Sequence, residues 1–385
     1  MRTYFVRFIL FFGLFAATSV GAREQFESNL SVRALGMGNA YVSAVKDAYA
    51  LFYNPARLAA VEGFNCRLMD PYLLVSEPTK IQTVSDAGSS GDSVSDLLDP
   101  FFDTNANVGL GMRAAFTMPR FGVSLYGDAQ IGVNLNNPVL PDLALRAVTD
   151  YGVVAGIALP LIPMLDIGLS IRRVIRQGGD IPITATTIAE LDVDQIMGEI
   201  ERRGSAFGLD MGVTLTPPGP LDLAASFVWK NVGGLSFKKT GGPSKPPSED
   251  DEMIIGVAGG LDLPLFGVTA ALDIQNLSDS DVQMGQKIHL GVEVNLVNID
   301  VRAGLYQGYY TLGVGISLGL IELDVASYGV ELGEFPGQRE DRRYALQLTI
   351  ELGVDPFFGL GGGTDGKGGG SDKRVRRQRG VKQRR

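Results

Sequence analysis

From residue 62 onward, apolar and polar residues alternate with a period of two. In "MLDIGLSIRRV", Leu165, Ile167, Leu169 and Ile171 share one face and Asp166, Gly168, Ser170 and Arg172 the other. "KIHLGVEVNLV" sets Ile288, Leu290, Val292, Val294 and Leu296 against Lys287, His289, Gly291, Glu293 and Asn295, and "YALQLTIEL" continues the theme. That period is the mark of a β-strand with one apolar face. We read strands near 62–75, 106–118, 121–133, 145–159, 163–176, 204–216, 220–232, 252–263, 266–277, 286–297, 299–306, 309–318, 320–332 and 342–353. That is about fourteen, an even number, as bacterial membrane barrels have.

The joins alternate in kind. "LPLIPMLD", "TPPGPLD" and "LVNID" are tight, whereas "KNVGGLSFKKTGGPSKPPSEDDE" and "RQGGDIPITATTIAELDVDQIMGEIERRG" are long and polar. Tight turns at one rim and long loops at the other predict an antiparallel up-and-down transmembrane β-barrel over 61–354. Charges gather on one strand face and are almost absent from the other: Arg172, Lys230, Asp273, Lys287, His289, Glu293, Arg302 and Glu351 are expected to line the lumen. Aromatics near strand ends (Phe121, Tyr126, Trp229, Phe266, Tyr309, Tyr310, Tyr328) suggest interfacial girdles. Helical spacing appears within 186–204 and 93–102.

The ends read differently. "FILFFGLFAATSV", preceded by Arg2 and Arg7 and followed by Val20 and Ala22, predicts a cleaved signal peptide over 1–22. After Val354 a Gly-rich stretch leads into a basic run, expected to form a disordered tail over 355–385. The whole chain carries a net charge of −9 although that tail is basic, so the barrel is acidic and no nucleic-acid partner is expected. The lone cysteine, Cys66, allows no internal disulfide.

Catalysis finds little support. His289 is the only histidine, and Glu293 lies roughly 13 Å further along the same strand, too far for a dyad. No His/Cys/Asp cluster has zinc spacing and no acidic run has calcium-loop spacing. Neither enzyme activity, cofactor nor metal is expected.

One stretch breaks the strand pattern: "SVRALGMGNAYVSAVKDAYALFYNPARLAAVEG", starting at Ser31. It resembles the N-terminal signature of FadL-like outer-membrane proteins, which include long-chain fatty-acid and hydrocarbon transporters and the PorV-like secretion factors. Arg33, Gly36, Met37, Gly38, Phe52, Tyr53, Asn54, Pro55 and Ala56 match it, while Arg57 replaces the usual glycine. The resemblance implies fourteen strands and a plug, here 23–60, folded inside the lumen. It further implies residence in the outer membrane of a Gram-negative bacterium, among its lipids, and passage of a hydrophobic small molecule. The PorV-like alternative implies secretion-system or surface-protein partners instead. Within the segment, Asn54 is placed to cap a short helix opening at Pro55.

Overall fold

The computed structural model describes residues 29–76, 105–136, 142–184, 198, 200–263 and 265–354. The expected signal peptide, the start of the expected plug, the tail, the helix at 93–102 and most of that at 186–204 lie outside them.

Sixteen strands form one antiparallel sheet that closes on itself. β1 (Phe64–Met69) and β2 (Tyr72–Ser76) share the first stave. Each pairs with β3 (Asn105–Met118) on one side and β16 (Glu340–Val354) on the other. The wall continues through β4 (Phe121–Asn136), β5 (Asp142–Ile162), β6 (Leu165–Thr184), β7 (Arg203–Leu215) and β8 (Asp222–Lys230). It then passes to β10 (Glu252–Asp262), β11 (Gly267–Ile274), β12 (Ile288–Asn295), β13 (Ile299–Tyr306), β14 (Tyr309–Leu318) and β15 (Ile321–Glu331). The short β9 (Lys238–Gly241) lies off this path and pairs with the loop end of β7. The result is a closed barrel of fourteen staves.

The polarity is inverted relative to a water-soluble fold. Leu110, Leu125, Ile131, Ile171, Phe207, Leu312, Val314 and Leu346 face outward and are exposed, while Arg113, Asp128, Arg176, Asp210, Asp324 and Gln347 are buried inside. An apolar band around a closed hydrogen-bonded wall is what a bilayer demands, because closure leaves no backbone group unpaired in hydrocarbon. No helix among the described residues is long and apolar enough to cross a membrane.

Three expectations need correction. The stave read as one strand over 62–75 breaks at Asp70–Pro71, where proline has no N–H for the ladder. The strands read as 145–159 and 163–176 are the longer β5 and β6, paired in register up to Asp142 and Thr184. Tyr126 and Tyr328 are not girdle residues. Both are buried on the inward face, sharing the parity of Asp128 and Ala326 on their own strands.

Candidate functional site: the inner segment and its seat

Residues 29–61 lie against the inward side of the wall and are almost entirely buried. The segment contains α1 (Val32–Gly36), α2 (Ala50–Tyr53) and a 3-10 helix over Pro55–Ala60. Two limbs can be distinguished by how much they also take from the wall, for each holds backbone bonds of its own: in the first, the amides of Leu35, Met37, Gly38, Asn39 and Ala40 bond within the segment.

The first limb, 29–42, draws heavily on wall side chains. Thr311 donates from Oγ1 to the Gly36 carbonyl at 3.1 Å and accepts from the Gly38 amide at 3.0 Å. His289 donates from Nδ1 to the Gly38 carbonyl at 2.9 Å, and Gln275 donates to the Asn39 carbonyl at 3.0 Å. Asp273 accepts from the Tyr41 and Val42 amides at 2.6 and 3.0 Å. Gln347 accepts from the Val32 amide at 2.9 Å. Gly38 and Asn39 both take positive φ, so the chain turns where the wall grips it. Arg33 forms two bonds to Glu293, which also binds Arg302, and Arg302 reaches on to Asp300 and Asp324. Burial would lower the Arg33 pKa, but Glu293, with Tyr41 and Asp300, together outweigh it and hold the guanidinium well above its ordinary value.

The second limb, 49–61, satisfies much of its own backbone. Tyr53 and Asn54 amides bond back to Tyr49 and Ala50, and the Arg57 amide to Asn54. Asn54 caps the 3-10 helix by accepting from the Ala56 amide at 3.0 Å, with Pro55 at the first position. Its Nδ2 donates to the Val42 carbonyl at 2.8 Å and to Thr214 at 3.0 Å. Phe52 meets Tyr126 edge to face at 5.4 Å.

Glycines thin the wall where the segment touches it. A Cβ at Gly168 would fall on the Ala56 amide nitrogen, and one at Gly212 on the Asn54 carboxamide oxygen. At Gly304 and Gly313 it would lie 2.6 Å from the Gly38 nitrogen and 2.9 Å from the Gly36 Cα.

Tyr49 stands at the broken stave. Its hydroxyl donates to Asp70 at 2.9 Å and accepts from Arg113 at 3.1 Å, and the Arg67 and Arg113 guanidinia each lie 5.2 Å from its ring centre. Burial raises the pKa of this phenol well above its ordinary value, with Asp70 adding to the rise and the two arginines opposing it. Asp70 also accepts from Thr349 and Arg67, so the residue displaced from the ladder keeps a full set of partners. The crevice lined by Tyr49, Phe52, Arg67, Asp70 and Arg113 has no room for a water molecule.

Of the charged residues expected in the lumen, Arg172, Asp273, Lys287, His289, Glu293 and Arg302 are buried on the inward side, and Lys230 and Glu351 are half-buried. Lys287 ends α3 (Met284–Lys287), just before β12. The structure brings Asp273, His289, Glu293 and Arg302 together against the first limb. Arg172 stands apart, bonded to Asn231. Glu351 meets Arg67, and Lys230 meets Glu252. Thr311, Gln275 and the glycine seats were not singled out from sequence. Their signal was parity: Gly168, Gly212, Gly304 and Gly313 all occupy inward positions of their strands. Among the described residues no cluster could hold a metal ion.

No protein-family model and no curated protein matches the chain. Solved structures do. The monoaromatic hydrocarbon channel TodX, as a ΔS2S3 mutant, superposes with a TM-score of 0.50 at 11% identity, over 85% of this chain and 99% of the channel. The toluene transporter TbuX of Ralstonia pickettii gives 0.42 at 12% identity, over 84% and 97%. A FadL homologue from Pseudomonas aeruginosa gives 0.37 at 11% identity, over 86% and 98%. At such identities the likeness is one of fold: the chain is built as a fourteen-stave barrel of the kind seen in the TodX channel.

Proposed function

We propose that this protein resides in the outer membrane of a Gram-negative bacterium and passes hydrophobic small molecules, of the monoaromatic hydrocarbon or long-chain fatty-acid type, across it. The observation that carries the reading is the inner segment. A general diffusion pore keeps an open aqueous lumen, whereas here residues 29–61 lie buried inside the barrel. Such an arrangement suits a solute that moves along a packed, partly apolar path rather than through bulk water. Met37, Tyr41, Val42, Leu51, Phe52 and Tyr126 form part of one continuous apolar cluster along the segment. In this reading residues 23–60 act as a plug, and the solute crosses when the plug shifts. The barrel fold shared with the TodX channel supports the same reading, as does the N-terminal signature. Binding and release are the only chemistry required, so no residue is assigned a catalytic role.

The test is uptake. Cells lacking the gene should accumulate radiolabelled toluene or oleate more slowly, and the intact gene should restore the rate. Unchanged uptake of both, together with loss of particular proteins from the cell surface, would replace transport with a role in secretion.

A further inference from the structure

The outward positions of the wall are apolar almost throughout, yet three exposed cations interrupt them in one place. Arg173 on β6 shares the outward parity of Leu169 and Ile171, Arg203 opens β7 on the face of Phe207, and Lys238 on β9 is paired with outward Ser205. Residues paired across a sheet point to the same face. We propose that Arg173, Arg203 and Lys238 form a docking surface for the two phosphates of lipid A, the phosphorylated glycolipid of the outer leaflet. The inference rests on the outer-membrane location proposed above and is independent of solute transport.

Register brings the three together. Phe207 is paired with Arg173, Ser205 with Ile175, and Arg203 with Gln177. β9 then flanks the upper end of β7. With strands about 4.8 Å apart and about 3.3 Å between residues, the three backbone positions fall within roughly 15 Å of one another. They also stand at the right height. Arg203 and Lys238 border the long joins of the loop rim. Arg173 lies roughly 26 Å along β6 from Leu165, which at the usual tilt is about 20 Å of height, near the top of an apolar band about 25 Å tall. Its long stem lets the guanidinium reach up to the headgroups.

The charges are available. Among the described residues no carboxylate pairs with any of the three: Arg203 donates to Gln177 at 2.7 Å, and Arg173 lies 6.0 Å from the Phe207 ring centre. The acids of the adjoining loop serve other groups, Glu249 binding Arg176 and Asp251 accepting from Trp229. Arg342 makes the contrast: it faces outward on β16 but has Glu340 as its partner. Clustered cations at a membrane surface attract anionic headgroups, and guanidinium matches phosphate with paired N–H donors. Two phosphates on one disaccharide can engage all three cations without drawing the side chains together. Phe207, the ring beside Arg173, is 74% exposed and offers its face to an acyl chain.

The experiment titrates the full chain, purified in detergent, with bis-phosphorylated lipid A and reads retained lipid by native mass spectrometry. Replacing Arg173, Arg203 and Lys238 together by glutamine should weaken binding at least tenfold. Lipid A stripped of its phosphates should bind the unaltered chain no better than intact lipid A binds the triple variant. Arg342→Gln should stay within twofold of the unaltered chain. Heat-modifiable migration on gels checks closure, and if the triple variant does not close, Arg203→Gln and Lys238→Gln carry the comparison singly, each with a loss of about threefold. Binding by closed variants within twofold of the unaltered chain overturns the proposal, as does equal retention of phosphatidylglycerol and lipid A. Membrane fractionation tests the location separately, and uptake of toluene or oleate tests transport.

Discussion

The limbs of the inner segment have the same wall around them and nearly the same burial, yet they use it differently. The first adds to its own backbone bonds at Leu35, Met37, Asn39 and Ala40 a set borrowed from Gln275, His289, Thr311, Gln347 and Asp273. The second closes most of its bonds within α2 and the 3-10 helix and meets the wall mainly through shape, at Gly168 and Gly212. Burial alone therefore says little about how firmly a segment is held. What matters is whether its polar groups stay satisfied when the contact is lost. Either limb would expose apolar surface on leaving its seat, since Val32, Leu35, Met37, Tyr41 and Val42 in the first are as buried as Leu51 and Leu58 in the second; the first would in addition give up its bonds to wall side chains.

The contrast can be broken at its base. Arg302 lies beneath the first limb and binds Glu293, Asp300 and Asp324. Arg302→Met would leave these carboxylates facing one another with Arg33 alone to offset them. The expected cost is about 3–5 kcal/mol of barrel stability, read as a lower urea midpoint for loss of the heat-resistant form. A loss under about 1 kcal/mol would mean that the charges beneath the first limb are screened by solvent rather than paired. The second limb is challenged next by Gly168→Val. The new branched side chain would collide with the Pro55–Ala56 backbone, and overpacking of this kind costs about 1–3 kcal/mol. Labelling by a water-soluble maleimide should rise at a cysteine placed at Ala50, which is fully buried, in a Cys66→Ala background.

The architecture was legible in the sequence because a barrel wall repeats one rule many times. Alternation in "LDIGLSI" and "IHLGVEV" sets the pleat, and the charges at Asp273, His289, Glu293 and Arg302 mark the inward side. What escaped was set by single residues or by contacts distant in sequence. Pro71 breaks a stave whose flanks alternate normally. Tyr126 and Tyr328 have girdle chemistry, but their parity turns them inward, where Tyr126 meets Phe52 and Tyr328 meets Tyr306 at 5.8 Å. The seat of the first limb was hidden because its wall side chains bind backbone. Thr311 and Gln275 are ordinary strand and turn residues until Gly36 and Asn39 are brought beside them from more than two hundred residues away.

A smaller effect is expected at the joint between the limbs. Asn54→Ala removes the cap on the Ala56 amide and the bonds to Val42 and Thr214. Thr214 keeps Ser226 as a partner at 2.9 Å, so the loss should be about 1–2 kcal/mol. Because Asn54 ties the two limbs together, maleimide labelling should rise alike at a cysteine placed at Ala40 or at Ala50, both fully buried. A rise at one position alone would show that the joint belongs to that limb.

The smallest effect separates two arginines of the inner segment. Half-buried Arg33 is matched by Glu293, and that pairing keeps it charged against the cost of desolvation. Arg57 stands where the resembling signature has glycine. It is buried, its described hydrogen bond goes to the Val45 carbonyl, and among the described residues no carboxylate lies within ion-pairing distance. Burial consequently lowers its pKa, and Asp222 and Asp166 offset this only in part. A group that carries a desolvation cost without a paired charge has little to lose on removal. Arg57→Met keeps the length of the stem and discards the buried charge, so stability should change by less than about 1 kcal/mol in either direction. Arg33→Met, by contrast, should destabilise measurably, because it takes from Glu293 one of its two cations. If Arg57→Met proves as costly as Arg33→Met, the Val45 bond carries far more than its geometry suggests, and the second limb depends on a borrowed contact after all.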